Sequence, residues 1–253
     1  MQLILDELYK SFGANDVIRG AGYRFEKGKI YALLGRNGSG KTTLFDLITA
    51  TKDLDGGSVM LEEDGKARSL IPEDIFYMVA SPLLPNFLTG REFLQFFIDI
   101  NKERIYEERS LDQLFDWIDL EESERDRLIQ TYSLGTRNKL QMLMFLLVKP
   151  KVILMDEPLT SLDVVVQLQI KKLLKEIEKD HIILFSTHIL QLATDLCDEI
   201  VILSNGKLYP LPEEKLKDAN FEEEIIRILS SDSKHADNNT LREIIRDSED
   251  DNA

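Results

Sequence analysis

Short apolar runs alternate with segments of helical spacing along most of the chain. Three of the runs, residues 30–34, 152–155 and 182–185, are continuous, which is typical of strands buried on both faces of a parallel sheet. After each run, apolar residues recur every three or four positions, as expected for a helix with one buried face. This alternation predicts an α/β fold.

The first third of the chain also carries the patterns of short antiparallel strands. Residues 3–8 alternate weakly between apolar and polar positions, and residues 23–26 and 29–31 flank a lysine-glycine turn. A further short strand is predicted at residues 58–61, between two turns that contain glycine. We therefore expect an antiparallel β subdomain beside the parallel core.

A helical segment interrupts the alternation between about residues 86 and 147. It begins with a capping box formed by Thr89 and Glu92, and its last helix is predicted over residues 136–147. The aromatic stripe of its first helix is predicted to pack in the core and comprises Phe93, Phe96 and Phe97. We expect a helical subdomain inserted in one domain that spans residues 1–210.

The charge of the chain argues against nucleic acid as a partner. The formal net charge is −15, so the basic surface that nucleic acids require is absent. Thirteen acidic and six basic residues lie between Leu211 and Ala253, which forms an acidic C-terminal tail. Residues 221–229 of this tail have helical spacing, and we expect its acidic end to be disordered.

Nothing in the sequence predicts secretion or a membrane span. The N-terminus lacks the basic region and the apolar stretch of a signal peptide, and no apolar run approaches the roughly 18 residues of a transmembrane helix. The single cysteine, Cys197, excludes an intrachain disulfide and is expected to pack in the core. These features favour a protein of the reducing cytoplasm that is able to dock onto a membrane protein.

Residues 35–42 match the phosphate-binding P-loop, G-x-x-x-x-G-K-[ST]. The match lies between a predicted strand and a predicted helix, so backbone N–H groups of the loop and the positive end of the helix would face a polyphosphate. Lys41 supplies a charge for the β- and γ-phosphates, and the Thr42 hydroxyl is placed to hold Mg²⁺. The predicted nucleotide-binding residues of this loop are Gly35, Asn37, Gly38, Ser39, Gly40, Lys41, Thr42 and Thr43.

A pair of carboxylates at the end of the apolar run 152–155 is the second nucleotide-binding feature. In P-loop proteins an aspartate at this place orders Mg²⁺, directly or through water, and we assign that role to Asp156. Glu157 follows one residue later and is predicted to orient or deprotonate the water that attacks the γ-phosphate. The two features together predict an α/β P-loop NTPase core.

Four further segments extend this pattern. Residues 132–136 read Tyr-Ser-Leu-Gly-Thr and open a helix, residues 159–163 follow Pro158, and residues 186–188 read Ser-Thr-His after a buried strand. Phe12 lies in a Lys-Ser-Phe-Gly segment near the N-terminus. In this order they resemble the signature motif, the D-loop, the switch histidine and the adenine-stacking aromatic of the nucleotide-binding subunit of an ABC transporter.

The resemblance implies how ATP and Mg²⁺ would be used. In this family two protomers sandwich each ATP between the P-loop of one and the signature motif of the other. Ser133 and Gly135 would then contact phosphate across the dimer, and Asp163 would couple the two sites. His188 would hold the γ-phosphate and the attacking water, and Phe12 would stack on adenine, although packing in the core is an equal alternative for Phe12.

Two places depart from the family pattern. Ala80 stands where the family has a glutamine that contacts Mg²⁺ and water, and an alanine has no ligating atom. Either Ser81 or a water replaces that ligand, or metal coordination is weakened. Leu134 and Thr136 replace the first glycine and the glutamine of the signature motif. Both departures predict slower turnover with hydrolysis retained.

The leading prediction is an ATPase subunit that powers a separate integral membrane permease. It would lie on the cytoplasmic face of the membrane, pair with a second ATPase subunit as a homo- or heterodimer, and receive a short permease helix beside the helical insertion. Residues 132–135 and 186–190 favour an export-type permease. Two alternatives stay open: a free-standing ABC-type ATPase that acts on a macromolecule, and an ATP-gated regulatory module that hardly hydrolyses ATP.

Overall fold

The computed structural model describes residues 1–105, 107–159, 162 and 164–211. The predicted D-loop residue Asp163 and the predicted tail beyond Leu211 lie outside these residues. Within them, ten strands form two sheets, and α-helices pack against both. No helix in this part of the chain is both long enough and apolar enough to span a bilayer.

The two sheets differ in strand direction. The first has the order β2-β1-β4-β5 and is antiparallel throughout. The second has the order β10-β9-β3-β8-β7-β6 and is parallel except for the β9–β10 hairpin. The predicted parallel core and antiparallel β subdomain are thus confirmed. The strands are β1 (Gln2–Phe12), β2 (Asn15–Glu26), β3 (Lys29–Leu34), β4 (Gly56–Glu63), β5 (Lys66–Ser69), β6 (Ile75–Met78), β7 (Val152–Asp156), β8 (Ile182–Thr187), β9 (Glu199–Ser204) and β10 (Lys207–Leu211).

The central strands are buried on both faces, as their continuous apolar runs predict. On β3, Ile30, Ala32 and Leu34 face one hydrophobic cluster, whereas Tyr31 and Leu33 face another. The first cluster contains helices α2, α3, α5, α6 and α7, and the second contains α1 together with the antiparallel sheet. The helices are α1 (Lys41–Ile48), α2 (Gly90–Ile100), α3 (Leu111–Trp117), α4 (Glu122–Arg125), α5 (Leu134–Val148), α6 (Val164–Ile177) and α7 (Leu190–Leu196).

Strand β2 is longer than predicted, and β5 was missed. The pattern predicted only the last four residues of β2, because Gly20 and Gly22 interrupt the alternation of its apolar residues. Strand β5 has four residues, and none of them is a buried apolar side chain, so it carries no hydrophobic signal. It forms through backbone hydrogen bonds to β4 at the edge of the sheet.

Helices α2 to α5 lie within the predicted helical insertion, although its outer boundaries stay a prediction. The Thr89 capping box is confirmed, since Thr89 Oγ1 accepts from the Glu92 N–H and the Glu92 carboxylate accepts from the Thr89 N–H. Phe93 and Phe97 are buried, but Phe96 is 53% exposed, so the prediction that the whole aromatic stripe packs in the core is wrong. Helix α2 buries only the face that contacts α3, α4 and α5.

The parallel strands bring the ends of several motifs to one edge of the sheet. Asp156 at the end of β7 is in register with Ser186 of β8, and Leu34 at the end of β3 is in register with Thr187. The loop that follows β3 begins at once, and the Gly35 N–H donates to the Thr187 carbonyl at 3.3 Å. Crevices at the carboxyl edge of a parallel sheet are the usual binding sites of α/β proteins.

Candidate functional site

The predicted P-loop forms an open cradle of backbone groups between β3 and α1. Gly38 and Gly40 have φ angles of +82° and +103°, a conformation that glycine adopts without strain. A β-carbon on Gly40 would lie 2.8 Å from Val17 Cγ1, whereas one on Gly38 would meet nothing within 4 Å. No side chain caps the start of α1, so its first N–H groups are left for an anion.

Lys41 is buried, and its charge lies inside this loop. Its Nζ donates to the carbonyl oxygens of Gly35 at 2.8 Å and of Arg36 at 3.2 Å. The same nitrogen lies 3.5 Å from Oε1 of Glu157. This ammonium is placed to donate hydrogen bonds to a new anionic partner, such as a phosphate, with little movement.

Asp156 holds the far side of the cradle through two hydroxyl groups. Thr42 Oγ1 donates to Asp156 Oδ2 at 2.6 Å, and Ser186 Oγ donates to Asp156 Oδ1 at 2.5 Å. One hydroxyl and one carboxylate oxygen suit Mg²⁺, which uses few protein ligands and completes its octahedron with phosphate and water. Within the described ranges no group of three or more His, Cys, Asp or Glu residues is placed to hold a metal. The Thr42 hydroxyl and the Asp156 carboxylate thus fit a cation whose remaining ligands are phosphate and water.

Glu157 and His188 form a hydrogen-bonded pair beside Lys41. His188 Nδ1 lies 3.0 Å from both carboxylate oxygens of Glu157, within hydrogen-bond distance of each. The Glu157 N–H donates to Ser186 Oγ at 3.0 Å. Glu157 has a φ of +51°, in the left-handed region that a non-glycine residue adopts only when its surroundings hold it there.

An open cleft of about 380 Å³ is lined by the P-loop together with Asp156 and Glu157. Phe12 lies at its rim with 45% of its surface exposed, so the alternative in which it packs in the core is wrong. The ammonium groups of Lys10 and Lys52 lie 5.7 and 5.6 Å from the Phe12 ring centroid. The residues that line the cleft are Phe12, Val17, Asn37, Gly38, Gly40, Lys41, Thr42, Thr43, Ala80, Asp156 and Glu157.

Ala80 lines the cleft and offers it only a methyl group. The resembled family has a metal-contacting glutamine at this position. The cleft therefore lacks that metal ligand. On β6, which ends two residues before Ala80, burial and the negative charge of Asp156 raise the pKa of Tyr77. The Tyr77 phenol consequently stays neutral and adds no charge to the site. Replacement of the missing ligand by Ser81 or by water stays a prediction.

Ser133 and Gly135 lie at the start of α5 and are absent from the described lining of the cleft. Ser133 Oγ accepts from the Thr136 N–H at 3.1 Å and pairs with Thr136 Oγ1 at 2.8 Å, so it caps the helix. This cap is the reason why α5 begins at Leu134 rather than at the predicted residue 136. The described lining of the cleft includes neither of these two residues, nor does it include Gly35, Ser39 or His188.

Ser186 is the functional candidate that sequence reasoning missed. The Ser-Thr-His segment was assigned a role only for its histidine, yet the hydroxyl of Ser186 contacts both Asp156 and Glu157. The sequence offered one signal for this contact: two predicted buried strands each end in polar residues, and these ends meet if the strands pair. Their register, which places Asp156 opposite Ser186, was not predictable from either run alone.

Comparisons with known proteins identify relatives of this chain in sequence and in fold. A sequence profile described as ABC transporter matches residues 18–160. The uncharacterized ABC transporter ATP-binding protein YdbJ of Bacillus subtilis is 32% identical over 211 residues, which cover 81% of this chain and 67% of YdbJ. The sulfate/thiosulfate import ATP-binding protein CysA of Synechocystis sp. is 30% identical over 218 residues, covering 82% of this chain and 59% of CysA. A solved structure of the ATP-binding subunit of an ABC transporter shares the fold, with a TM-score of 0.70 at 22% identity over 97% of this chain and 100% of that one.

Proposed function

Because the chain belongs to the ABC transporter family, we propose that it hydrolyses ATP to power a separate integral membrane permease. One observation carries the proposal on chemistry. Lys41, Asp156, Glu157 and His188 meet at the carboxyl edge of the parallel sheet, within hydrogen-bond or ion-pair distance of one another or of the P-loop. This arrangement supports the proposal of a phosphate cradle, a metal-ordering carboxylate and a base beside one another.

The proposed roles follow from these positions. The P-loop amides and Lys41 bind the β- and γ-phosphates, and Phe12 offers its exposed ring to adenine. Glu157 accepts a proton from the attacking water, and His188 holds the Glu157 carboxylate in place. Thr42 and Asp156 would hold Mg²⁺, which when bound neutralises the charge that develops on the phosphates.

The proposal includes a dimer that ATP closes. Ser133 and Gly135 lie outside the described lining of the cleft that holds the P-loop, and in the family the signature motif contacts a phosphate held by another protomer. The start of α5 carries backbone N–H groups suited to an anion. Asp163 lies outside the described residues and keeps the coupling role that the family resemblance implies. The partner is a second ATPase subunit, either another copy or an unlike chain.

An exposed apolar surface supports docking onto a permease. Leu83 and Phe87 in the loop before α2 are 85% and 79% exposed, and Phe96 and Ile100 on α2 are 53% and 61% exposed. Large apolar side chains grouped at the surface mark interaction sites. We call these four residues the α2 surface. We propose that they bind a short helix of the permease at the cytoplasmic face of a membrane. The motif likenesses favour export, although CysA, a relative, is an import subunit by name.

Two measurements on the full-length chain test the proposal. The tagged chain captured from detergent-solubilised native membranes should bring a polytopic membrane protein at near-equal stoichiometry, identified by mass spectrometry. Reconstituted vesicles then report the direction of transport. Recovery of the chain without any membrane partner would contradict the proposal that it works with a permease.

A second function is favoured by Ala80, which leaves the cleft without one family ligand. An ATP-gated regulatory module would bind ATP and hardly hydrolyse it. Steady-state turnover of wild type compared with Glu157→Gln separates the two functions. Wild-type turnover well above that of the variant supports the ATPase, and equal turnover supports the regulator.

A further inference from the structure

Ser186 occupies a fully buried position between the two carboxylates of the site. It lies near the end of β8, has no exposed surface, and is in register with Asp156 on the neighbouring parallel strand β7. Its Oγ donates to Asp156 Oδ1 at 2.5 Å and accepts the backbone N–H of Glu157 at 3.0 Å. A hydroxyl is among the few side-chain groups that can donate and accept at one atom.

The first hydrogen bond fixes the orientation of Asp156. With Oδ1 held by Ser186, the other oxygen, Oδ2, faces the Thr42 hydroxyl at the head of α1. Without the serine hydroxyl, the carboxylate loses one of the two described hydrogen bonds that restrain its rotation about χ2, a torsion with broad preferences, and keeps the one from Thr42. Ser186 therefore restrains the plane of the Asp156 carboxylate relative to Thr42.

The second hydrogen bond holds the backbone of Glu157. Glu157 is in the left-handed region with a φ of +51°, which a non-glycine residue keeps only when neighbouring groups hold it. Its N–H is satisfied by Ser186 Oγ at the residue where the chain leaves β7. The direction of the Glu157 side chain, and hence its contact with His188, depends on this conformation.

We propose that Ser186 is a positioning residue for ATP hydrolysis, which aligns Asp156 and Glu157 together through its one hydroxyl. The inference rests on the hydrolysis proposed above. Ser186 has no described hydrogen bond to the P-loop glycines or to Lys41, so its direct contacts in the site are with Asp156 and with the backbone of Glu157. Binding of ATP without metal should therefore depend on the P-loop far more than on Ser186.

Ser186→Ala in the full-length chain tests this proposal, since alanine keeps the small buried volume and removes both hydrogen bonds. We expect kcat to fall by roughly ten- to a hundredfold, because misplacement of a reacting group by about 1 Å has effects of that size. The KM for ATP should change by less than about twofold. In equilibrium dialysis, ATP affinity in EDTA should match wild type, whereas the Mg²⁺ concentration that half-saturates the gain in ATP affinity should rise.

Controls separate positioning from a general loss of stability. Ser204→Ala removes a hydroxyl that is also buried, on β9 of the same sheet, and should leave kcat and the Mg²⁺ dependence at wild-type values. If Ser186→Ala melts before assay, Ser186→Cys keeps a weak donor and acceptor at the same place and should give an intermediate kcat.

The outcomes distinguish this inference from the proposed function. A folded Ser186→Ala variant with wild-type kcat and Mg²⁺ dependence would overturn the inference, as would an equal loss of metal-free ATP binding. Wild-type turnover no higher than that of Glu157→Gln would instead overturn the hydrolysis on which it rests.

Discussion

His188 Nδ1 lies 3.0 Å from both carboxylate oxygens of Glu157, which places an imidazole directly against the proposed base. The pair joins the end of β7 to the residue that follows β8, and it lies beside the ammonium of Lys41. The carboxylate therefore faces the phosphate cradle rather than solvent. Its orientation depends on the histidine on one side and on the Ser186 bond to its backbone on the other.

Glu157→Gln should separate binding from hydrolysis. Glutamine keeps the size of the side chain but cannot accept a proton from water, so kcat should fall by roughly 10²- to 10⁴-fold while ATP affinity is kept. Light scattering with ATP should show a stalled dimer. Glu122→Gln on the exposed surface of α4 is the matched control. Unchanged hydrolysis in Glu157→Gln would remove the base from the mechanism.

Lys41→Ala should weaken nucleotide binding rather than slow the chemical step alone. The Lys41 ammonium is buried and is held by the carbonyl oxygens of Gly35 and Arg36. A charged hydrogen bond lost from such a place lowers affinity by about ten- to a hundredfold. Equilibrium dialysis with ATP measures the change, with Lys66→Ala on the exposed strand β5 as control. Wild-type affinity in Lys41→Ala would contradict the phosphate cradle.

Stability should fall as the pH drops below about 6.5 because of His181. Burial lowers the pKa of His181 below its usual 6.5, and its Nδ1 contacts the Pro150 carbonyl at 2.5 Å. Above pH 6.5 both the folded and the unfolded chain hold a neutral imidazole, so the free energy of unfolding does not depend on this group. Below pH 6.5, the imidazole binds a proton in the unfolded chain but not in the folded chain. This difference favours unfolding until the pH falls to the lower pKa of the folded chain.

His181→Asn tests this pH dependence without a titratable group at the site. Urea unfolding followed by circular dichroism should give a weaker decline between pH 6.5 and 5.5 than wild type shows. The comparison at pH 8, where neither state binds the proton, sets the baseline for each protein. Parallel curves for the two proteins would show that His181 carries none of the pH dependence.

Local motifs were predictable from the sequence, and contacts set by strand register were not. The P-loop around Lys41 and the Asp156-Glu157 pair are short segments whose chemistry follows from a strand end or a helix start. The double contact of Ser186 depends on how β7 and β8 align, which neither run encodes alone. The exposure of Phe96 likewise depends on which face of α2 the neighbouring helices cover.

The α2 surface should be required for the permease and dispensable for ATP binding. Phe87 is 79% exposed and lies outside the described lining of the nucleotide cleft, so Phe87→Ser removes apolar area without touching the P-loop. We expect capture of the membrane partner to weaken by tenfold or more, because buried aromatic anchors carry about 2 kcal/mol or more in interfaces. ATP affinity of the purified chain should stay within about twofold of wild type.

A matched variant shows whether this loss is specific to the surface. Ile71→Ser also removes an exposed apolar side chain, 49% exposed, but lies before β6 rather than in the loop that leads into α2. Wild-type capture in Ile71→Ser together with lost capture in Phe87→Ser would assign the permease to the α2 surface. Wild-type capture in both variants would place the permease elsewhere, since Phe87 then contributes no contact area to the complex.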